Sequence, residues 1–307
     1  MTTYPPAPAV LDDPNLTASR FLQNPEFVAR ALQSFGQLRY RGTSLLTGRQ
    51  ETSGGAVGYE QVEGIFADAP PEIVAPGGEY SLTTIGDGPA GLARVAKYGK
   101  DTLITDESIK RRKLDPVSKG LLKLVNSAAL VIDQAVVSVI ASAVTANRAA
   151  SAVWTGTSAK ILQDILRAKA DVRALNLGYE PNALLVDDST WAYLASDPTI
   201  AAAMARENQS NPIYTGQFDI LAGLQIIPTP AANLPGGVGT NAWVLDTAQL
   251  GFIATEDLQQ GYQAAGDLVQ SKVIREDHTD AWRVRVRANF VPVVTDPGAG
   301  FRISGVA

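Results

Sequence analysis

A chain of 307 residues is long enough for one large domain or two modest ones, each burying its own core. Its 45% hydrophobic and 19% charged residues set aside disorder, and zero cysteines exclude disulfides, thiolate catalysis and Cys-ligated zinc. The net charge of -5 argues against a protein whose main task is gripping nucleic acid over a broad surface. No apolar run reaches the roughly 18 residues that span a bilayer; the richest, residues 128–144, is broken by Asp133 and Gln134. Met1-Thr2-Thr3-Tyr4-Pro5-Pro6 lacks the basic start and apolar core of a signal peptide, so synthesis in the cytosol is expected.

The first 23 residues read as an arm, because the prolines of Tyr4-Pro5-Pro6-Ala7-Pro8 fix φ and remove donors. Asn24-Pro25-Glu26 predicts a helix start, with Asn as N-cap and Pro at the first helical position. Phe27, Val28, Ala31, Leu32 and Phe35 mark its apolar face, and Gly36 ends it. Residues 50–93 carry Glu51, Glu60, Glu63, Asp68, Glu72, Glu79 and Asp87 without one Lys or Arg. Strand-like runs at 58–62 and 80–85 predict a long two-stranded hairpin, polar on both faces. Such a hairpin is marginal in water and needs something to lie on.

The charge then inverts. Between positions 94 and 123 there are nine basic residues against four acidic ones, with Lys110, Arg111, Arg112 and Lys113 in one run. An acidic loop followed by a basic helix start permits two readings: one copy's loop docks on the next copy's helix, or both surfaces are simply solvated. Asp115-Pro116 opens a helix of about 28 residues, roughly 42 Å long, with Val117, Leu121, Leu124, Ala128, Ile132, Ala135 and Val139 as its stripe. A helix of that length is a strut.

Beyond it, Ser158 is expected to cap a helix bearing Ile161, Leu162, Ile165, Leu166, Val172 and Leu175, closed by Gly178. A buried strand at 182–186, a helix capped by Asp188, and strands at 224–227, 243–245 and 250–254 follow. Helices and strands alternate there in an α+β or α/β lobe. The tail returns to strands at 268–275 and 282–290, the latter with Trp282, Val284, Val286, Ala288 and Phe290 buried and Arg283, Arg285, Arg287 and Asn289 facing away.

Enzyme chemistry finds little support. Gly86-Asp87-Gly88-Pro89-Ala90-Gly91 spells G-x-G-x-x-G, but a dinucleotide site needs an apolar strand before it and a long helix after it. Here the strand is half polar, and Asp87 and Pro89 would set a negative charge and a missing N–H beside a phosphate. Neither a Walker A sequence nor a G-x-S-x-G elbow occurs. The single histidine, His278, lies among Glu276, Asp277 and Asp280, where a solvated turn between strands is expected; Asp187-Asp188 reads better as a helix cap than as paired catalytic carboxylates. No catalytic residue, cofactor or metal site is assigned.

Four motifs in order carry a resemblance. Leu103-Ile104-Thr105-Asp106-Glu107-Ser108 looks like a hydrophobic-Ser/Thr-Asp-Glu step into a spine helix. Residues 174–186 (ALNLGYEPNALLV) look like a helix, a G-x-x-P turn and a strand. Leu221-Ala222-Gly223-Leu224-Gln225-Ile226-Ile227-Pro228 is similar to an L-x-G-x-P-V strand, and residues 296–303 (DPGAGFRI) to a closing P-x-A-F-x-x-I. Together they resemble the major capsid proteins of tailed bacteriophages with the Hong Kong 97-type fold, those of actinobacteriophages in particular.

The resemblance implies an α+β capsid fold. Residues 1–49 are then the N-terminal arm and short helix, and 50–104 the extended E-loop. Residues 105–153 with 258–307 form a peripheral domain with the spine helix, and 154–257 the axial domain. It implies a structural protein of the virion, assembled in the host bacterial cytoplasm, whose hexamers and pentamers close an icosahedral shell around double-stranded DNA without sequence-specific binding. Portal, scaffolding and decoration proteins are the other expected partners; a membrane is not. An encapsulin-type nanocompartment shell is the alternative, and a soluble α/β enzyme a more distant one. Candidate inter-subunit contacts are Glu60, Glu63, Asp68, Glu72 and Glu79 on the loop, Lys110, Arg111, Arg112 and Lys113 on the basic step, and Arg283, Arg285 and Arg287 on the late strand. For the three arginines a solvated face, inter-subunit ion pairs and contact with enclosed DNA all stay open. Some members of the family cross-link an E-loop lysine to a neighbour's asparagine; the absence of lysine before Lys97 argues against that chemistry here.

Overall fold

The computed structural model describes residues 14–36, 41–61, 71–82, 88–112, 115–156, 158–203, 219–235 and 238–307. The chain forms two compact units: Met1–Tyr40 with Ala96–Ile132 and Thr255–Phe290, and Arg41–Val95 with Asp133–Ala254 and Val291–Ala307. The spine helix, Asp115–Ala143, contributes to both, and so does the strand Ala281–Val294.

In the first unit, Ala281–Val294 is flanked by two antiparallel partners. Gln270–Glu276 pairs on one edge, with Glu276 opposite Ala281; Ala96–Thr105 pairs on the other, from Thr105 opposite Ala281 to Phe290 opposite Ala96. Val284, Val286, Ala288 and Phe290 are buried as the alternation predicts, and so are Arg287 and Asn289 on the opposite face. The helices Pro14–Gln23 and Pro25–Gly36 pack together, and the second lies on Gln270–Glu276 through a face that includes Val28, Ala29 and Leu32. Phe27, expected on that face, is exposed. Pro14–Gln23 was expected to be arm; it is helical because Asp13-Pro14 repeats the Asx-Pro start seen at positions 24 and 115. The remainder of the arm, residues 1–13, lies outside the described residues.

The second unit is built on a six-stranded mixed sheet. Its order is Asn147–Ala149, Gly300–Ser304, Ala242–Leu245, Ala183–Asp187, Leu224–Thr229, Ile220–Leu221. All five residues of Ala183–Asp187 are buried. The helices Ile161–Ala174 and Asp188–Ser196 cover this sheet around Ile165, Leu184, Leu185, Leu194 and Trp243. The strand Gly300–Ser304 therefore belongs with 183–245, whereas the sequence grouped all of 258–307 with the spine helix. Likewise Ala96–Thr105, expected to be E-loop, is a strand of the first unit.

Two caps differ from expectation. The side chain of Asp187, rather than Asp188, accepts the Ser189 N–H at the start of Asp188–Ser196. Ser158 does not cap Ile161–Ala174; Asp164 organises that turn instead, accepting from Ser151 N, Ser151 Oγ and Trp154 Nε1. The spine helix runs as predicted, but its buried stripe includes Val125, Ala129, Val136, Val137 and Ile140 in place of Ala128, Ala135 and Val139. Residues 128–144 are so uniformly apolar that periodicity alone does not choose their inner face. By length and composition Pro116–Ala143 would suffice to cross a membrane, contrary to the sequence estimate. A buried stripe with a hydrogen-bonded aspartate inside it is instead the pattern of a core helix.

Candidate assembly surfaces

The acidic loop has an ordered root. Ala56–Glu60 pairs antiparallel with Ala90–Arg94, Glu60 facing Ala90, and Gln61 N donates to Pro89 O at 3.2 Å. Val57 packs with Ala254 and Val293, and Tyr59, Ala93, Phe252 and Val291 close around them. This small cluster anchors the ribbon at its base. Farther out the pattern changes. Residues 80–82, expected to be strand, have no regular structure, and the chain turns at Pro76-Gly77, with Gly77 at φ 84° and Gly78 N on Ala75 O. Ile73 is 103% exposed, Tyr80 81% and Leu82 98%, with Glu72 and Glu79 exposed beside them. Glu60 is also exposed; Glu63 and Asp68 lie outside the described residues. Burying such side chains contributes about 1.5–3 kcal/mol each, so three in water within one segment leave substantial binding energy unused.

The basic step follows from simple helix electrostatics. Asp106–Arg112 is a short helix with Asp106 and Glu107 in its first turn and Lys110, Arg111 and Arg112 in its last, matching the dipole at each end. Thr105 Oγ1 accepts from Ser108 N at the start. Lys110, Arg111 and Arg112 are exposed, whereas Lys113 lies outside the described residues. Arg275 grips Asp106 with two hydrogen bonds, at 2.8 and 2.7 Å, and lies over the Trp282 ring. Its bonds hold the Asp106 carboxyl below the usual carboxylate range.

The arginine row has in-chain partners. Arg285 forks onto Asp101, Nε at 2.9 Å and Nη2 at 2.8 Å, which lowers the Asp101 pKa; Arg283 binds Glu276 at 2.6 Å and reaches Asp101 at 3.5 Å. Arg287 is 2% exposed, donates to Gln270 and Gln259 O, and stacks on Tyr262 at 3.5 Å. With all three guanidiniums engaged at home, Lys110, Arg111 and Arg112 are the cations that remain for a partner among the candidates described. The first unit also holds a groove of about 290 Å³ lined by Tyr98, Lys100, Leu124, Ala128, Val131 and Val286.

His278 is exposed in the 3₁₀ turn Asp277–Thr279, as expected of a solvated turn. Ala90–Arg94, which begins within the glycine-rich motif, and Ala96–Thr105 after it are strands and not the helix a dinucleotide would need. Among the described residues no group of three His, Asp or Glu stands close enough to hold a metal. Sequence reasoning missed the buried polar residues. Asp133 is fully buried, and Asp296 accepts from Tyr179 at 2.5 Å; burial raises the pKa of both carboxyls and of the tyrosine. The available signal was a lone carboxylate inside an apolar stripe.

Comparison with known proteins agrees with this architecture. No curated protein matches the sequence. Among solved structures, the capsid of cyanophage P-SCSP1u matches with a TM-score of 0.62 at 15% identity, covering 85% of this chain and 86% of that one. A chain of Mycobacterium phage Adephagia matches at 0.56 and 14%, covering 86% and 89%. The virus-like particle of Pyrococcus furiosus matches at 0.56 and 12%, covering 91% and 98%. These likenesses establish the Hong Kong 97-type fold. Residues 90–303 match the phage capsid protein family, and the chain belongs to that family.

Proposed function

We propose that this chain is the major capsid protein of a phage head, building hexamers and pentamers that close an icosahedral shell around double-stranded DNA. Assembly takes place in the host cytoplasm with a portal and a scaffold. The observation that carries this reading is the loop segment 71–82, where three almost fully exposed apolar side chains stand among carboxylates. On the proposed shell each loop rests on the neighbouring copy, its acids on Lys110, Arg111 and Arg112 and its apolar side chains against that copy's surface. An encapsulin-type shell would share the architecture; the match to phage capsid proteins favours nucleic acid as the contents.

The test is particle size. The expressed chain is expected to give closed particles of megadalton mass by light scattering and electron microscopy. Because Gln61 and Pro89 are hydrogen-bonded neighbours, residues 62–88 are replaceable by a two-residue Asn-Gly turn. That variant is expected to keep its circular dichroism and lose closed shells. A discrete small oligomer from the full chain, or normal shells from the shortened one, contradicts the reading.

A further inference from the structure

Asp133 lies in the middle of the spine helix and is 0% exposed. Its Oδ1 accepts from Gly42 N at 2.7 Å and from Arg41 N at 3.0 Å, while its Oδ2 accepts from Asn233 Nδ2 at 2.8 Å. One carboxylate thus joins three pieces of the second unit: the helix, the chain leading to the acidic loop, and the turn Ala231–Asn233. A parallel tie runs from Gln134 Nε2 to Ala232 O at 2.8 Å. Burial pushes the Asp133 carboxyl up despite three donors, so the site carries a cost that an apolar residue would avoid.

The position of Gly42 shows how close the approach is. A Cβ there would lie 3.1 Å from Asp133 Oδ1 and 3.2 Å from Val136 Cβ. From Gly42 the path to the loop is pinned almost residue by residue. Leu45 and Leu46 are fully buried, and Arg49 clasps Leu46 O, Gly48 O and Thr43 O. Gly48–Glu51 then joins Gly251–Thr255 as a strand, and the turn at Gly54-Gly55 delivers Ala56–Glu60. Few soft residues separate the carboxylate from the ribbon's root.

We propose that Asp133 is a positioning residue for assembly: by latching Arg41 and Gly42 to the spine helix and Asn233 to the same carboxylate, it fixes where the acidic loop leaves the molecule. This rests on the shell reading above. The latch acts through the loop's origin and contributes no contact to the neighbour itself.

The contact between Asp133 and Asn233 allows an exchange test. Asp133→Asn keeps an oxygen for Arg41 and Gly42, and Asn233 can turn its amide to accept from the new N–H, so this variant keeps the tie without the charge. Asn233→Asp sets carboxylate against carboxylate. The double exchange restores one N–H···O bond across the same gap. Each protein is expressed as the full chain, its folded content and melting temperature are measured, and closed-shell yield and diameter are read well below melting. Expected is a tenfold or greater loss of closed shells in Asn233→Asp at undiminished folded content, with recovery to within about twofold in the double and near-wild-type yield in Asp133→Asn. If Asn233→Asp does not fold, Asn233→Ala removes only the tie to the turn and is expected to lower shell yield several-fold. Wild-type shells alongside unchanged shells from the Asn233 variant that folds overturn the latch alone, as does a yield that merely tracks melting temperature. A wild-type chain that forms no shells overturns the underlying reading and the latch with it.

Discussion

The central strand of the lobe and the tip of the acidic loop handle apolar side chains in opposite ways. Ala183–Asp187 is buried along its whole length, and both strands beside it are supplied from the same unit. In segment 71–82, by contrast, Ile73, Tyr80 and Leu82 project into water from a chain with no regular structure. The root of the ribbon behaves like the lobe, since Val57 finds Ala254 and Val293. The difference teaches where the monomer stops being sufficient. Among the described residues the ribbon root is packed and the arginine row is paired within the chain, and on the proposed shell the exposed side chains of segment 71–82 are the ones covered by another copy.

The contrast breaks most visibly under truncation. Leu184→Ala, at a fully buried site, is expected to cost about 2–5 kcal/mol of stability. Leu82→Ala, at a site 98% exposed, is expected to stay within about 0.5 kcal/mol while lowering shell yield. Urea unfolding paired with particle counts checks both. A large stability loss at Leu82 would mean that the loop is packed in the free chain.

Acid sharpens a second difference, between the surface pairs of the first unit and the buried carboxyls of the second. Asp101 and Asp106 have pKa values lowered by Arg285 and Arg275, so their contribution is present above the ordinary value of 3.8 and is lost as pH falls through the lowered ones. Asp133 and Asp296 are raised by burial, so their contribution is complete below 3.8 and is lost as pH rises through their folded values. The urea midpoint is therefore expected to rise modestly on acidification toward pH 3.8 and to fall below it. Asp101→Asn with Asp106→Asn should weaken the fall, and a midpoint that only declines from neutrality would contradict the assignment for the buried pair.

Much of this was legible in the sequence, for local reasons. Asx-Pro pairs announced the helices at Pro25 and Asp115, and the strict alternation from Trp282 to Phe290 gave the late strand and its inner face. The same signal at Asp13-Pro14 was hidden by the proline-rich arm before it. What stayed illegible depends on contacts distant in sequence. Period-two alternation reports one buried face and is silent about the other, so Arg287 was read as outward although Tyr262 and Gln259 cover it. Asp133 read as an interruption of an apolar run, because its partners Arg41, Gly42 and Asn233 are about ninety to a hundred positions away. Of the candidate contacts described, Glu60, Glu72, Glu79, Lys110, Arg111 and Arg112 are exposed as their composition suggested, whereas the arginine row has partners within the chain.

That the loop of one copy rests on the next is tested most directly by chemical cross-linking, which the absence of cysteine makes clean. One population carries Leu82→Cys and a second Arg111→Cys; the two are mixed, assembled and treated with a short bifunctional maleimide. Covalent dimers joining the two populations, formed in shells and absent from unassembled subunits, are the predicted result. Mixed shells that yield no such dimer, or a single chain bearing both cysteines that links to itself before assembly, would contradict it.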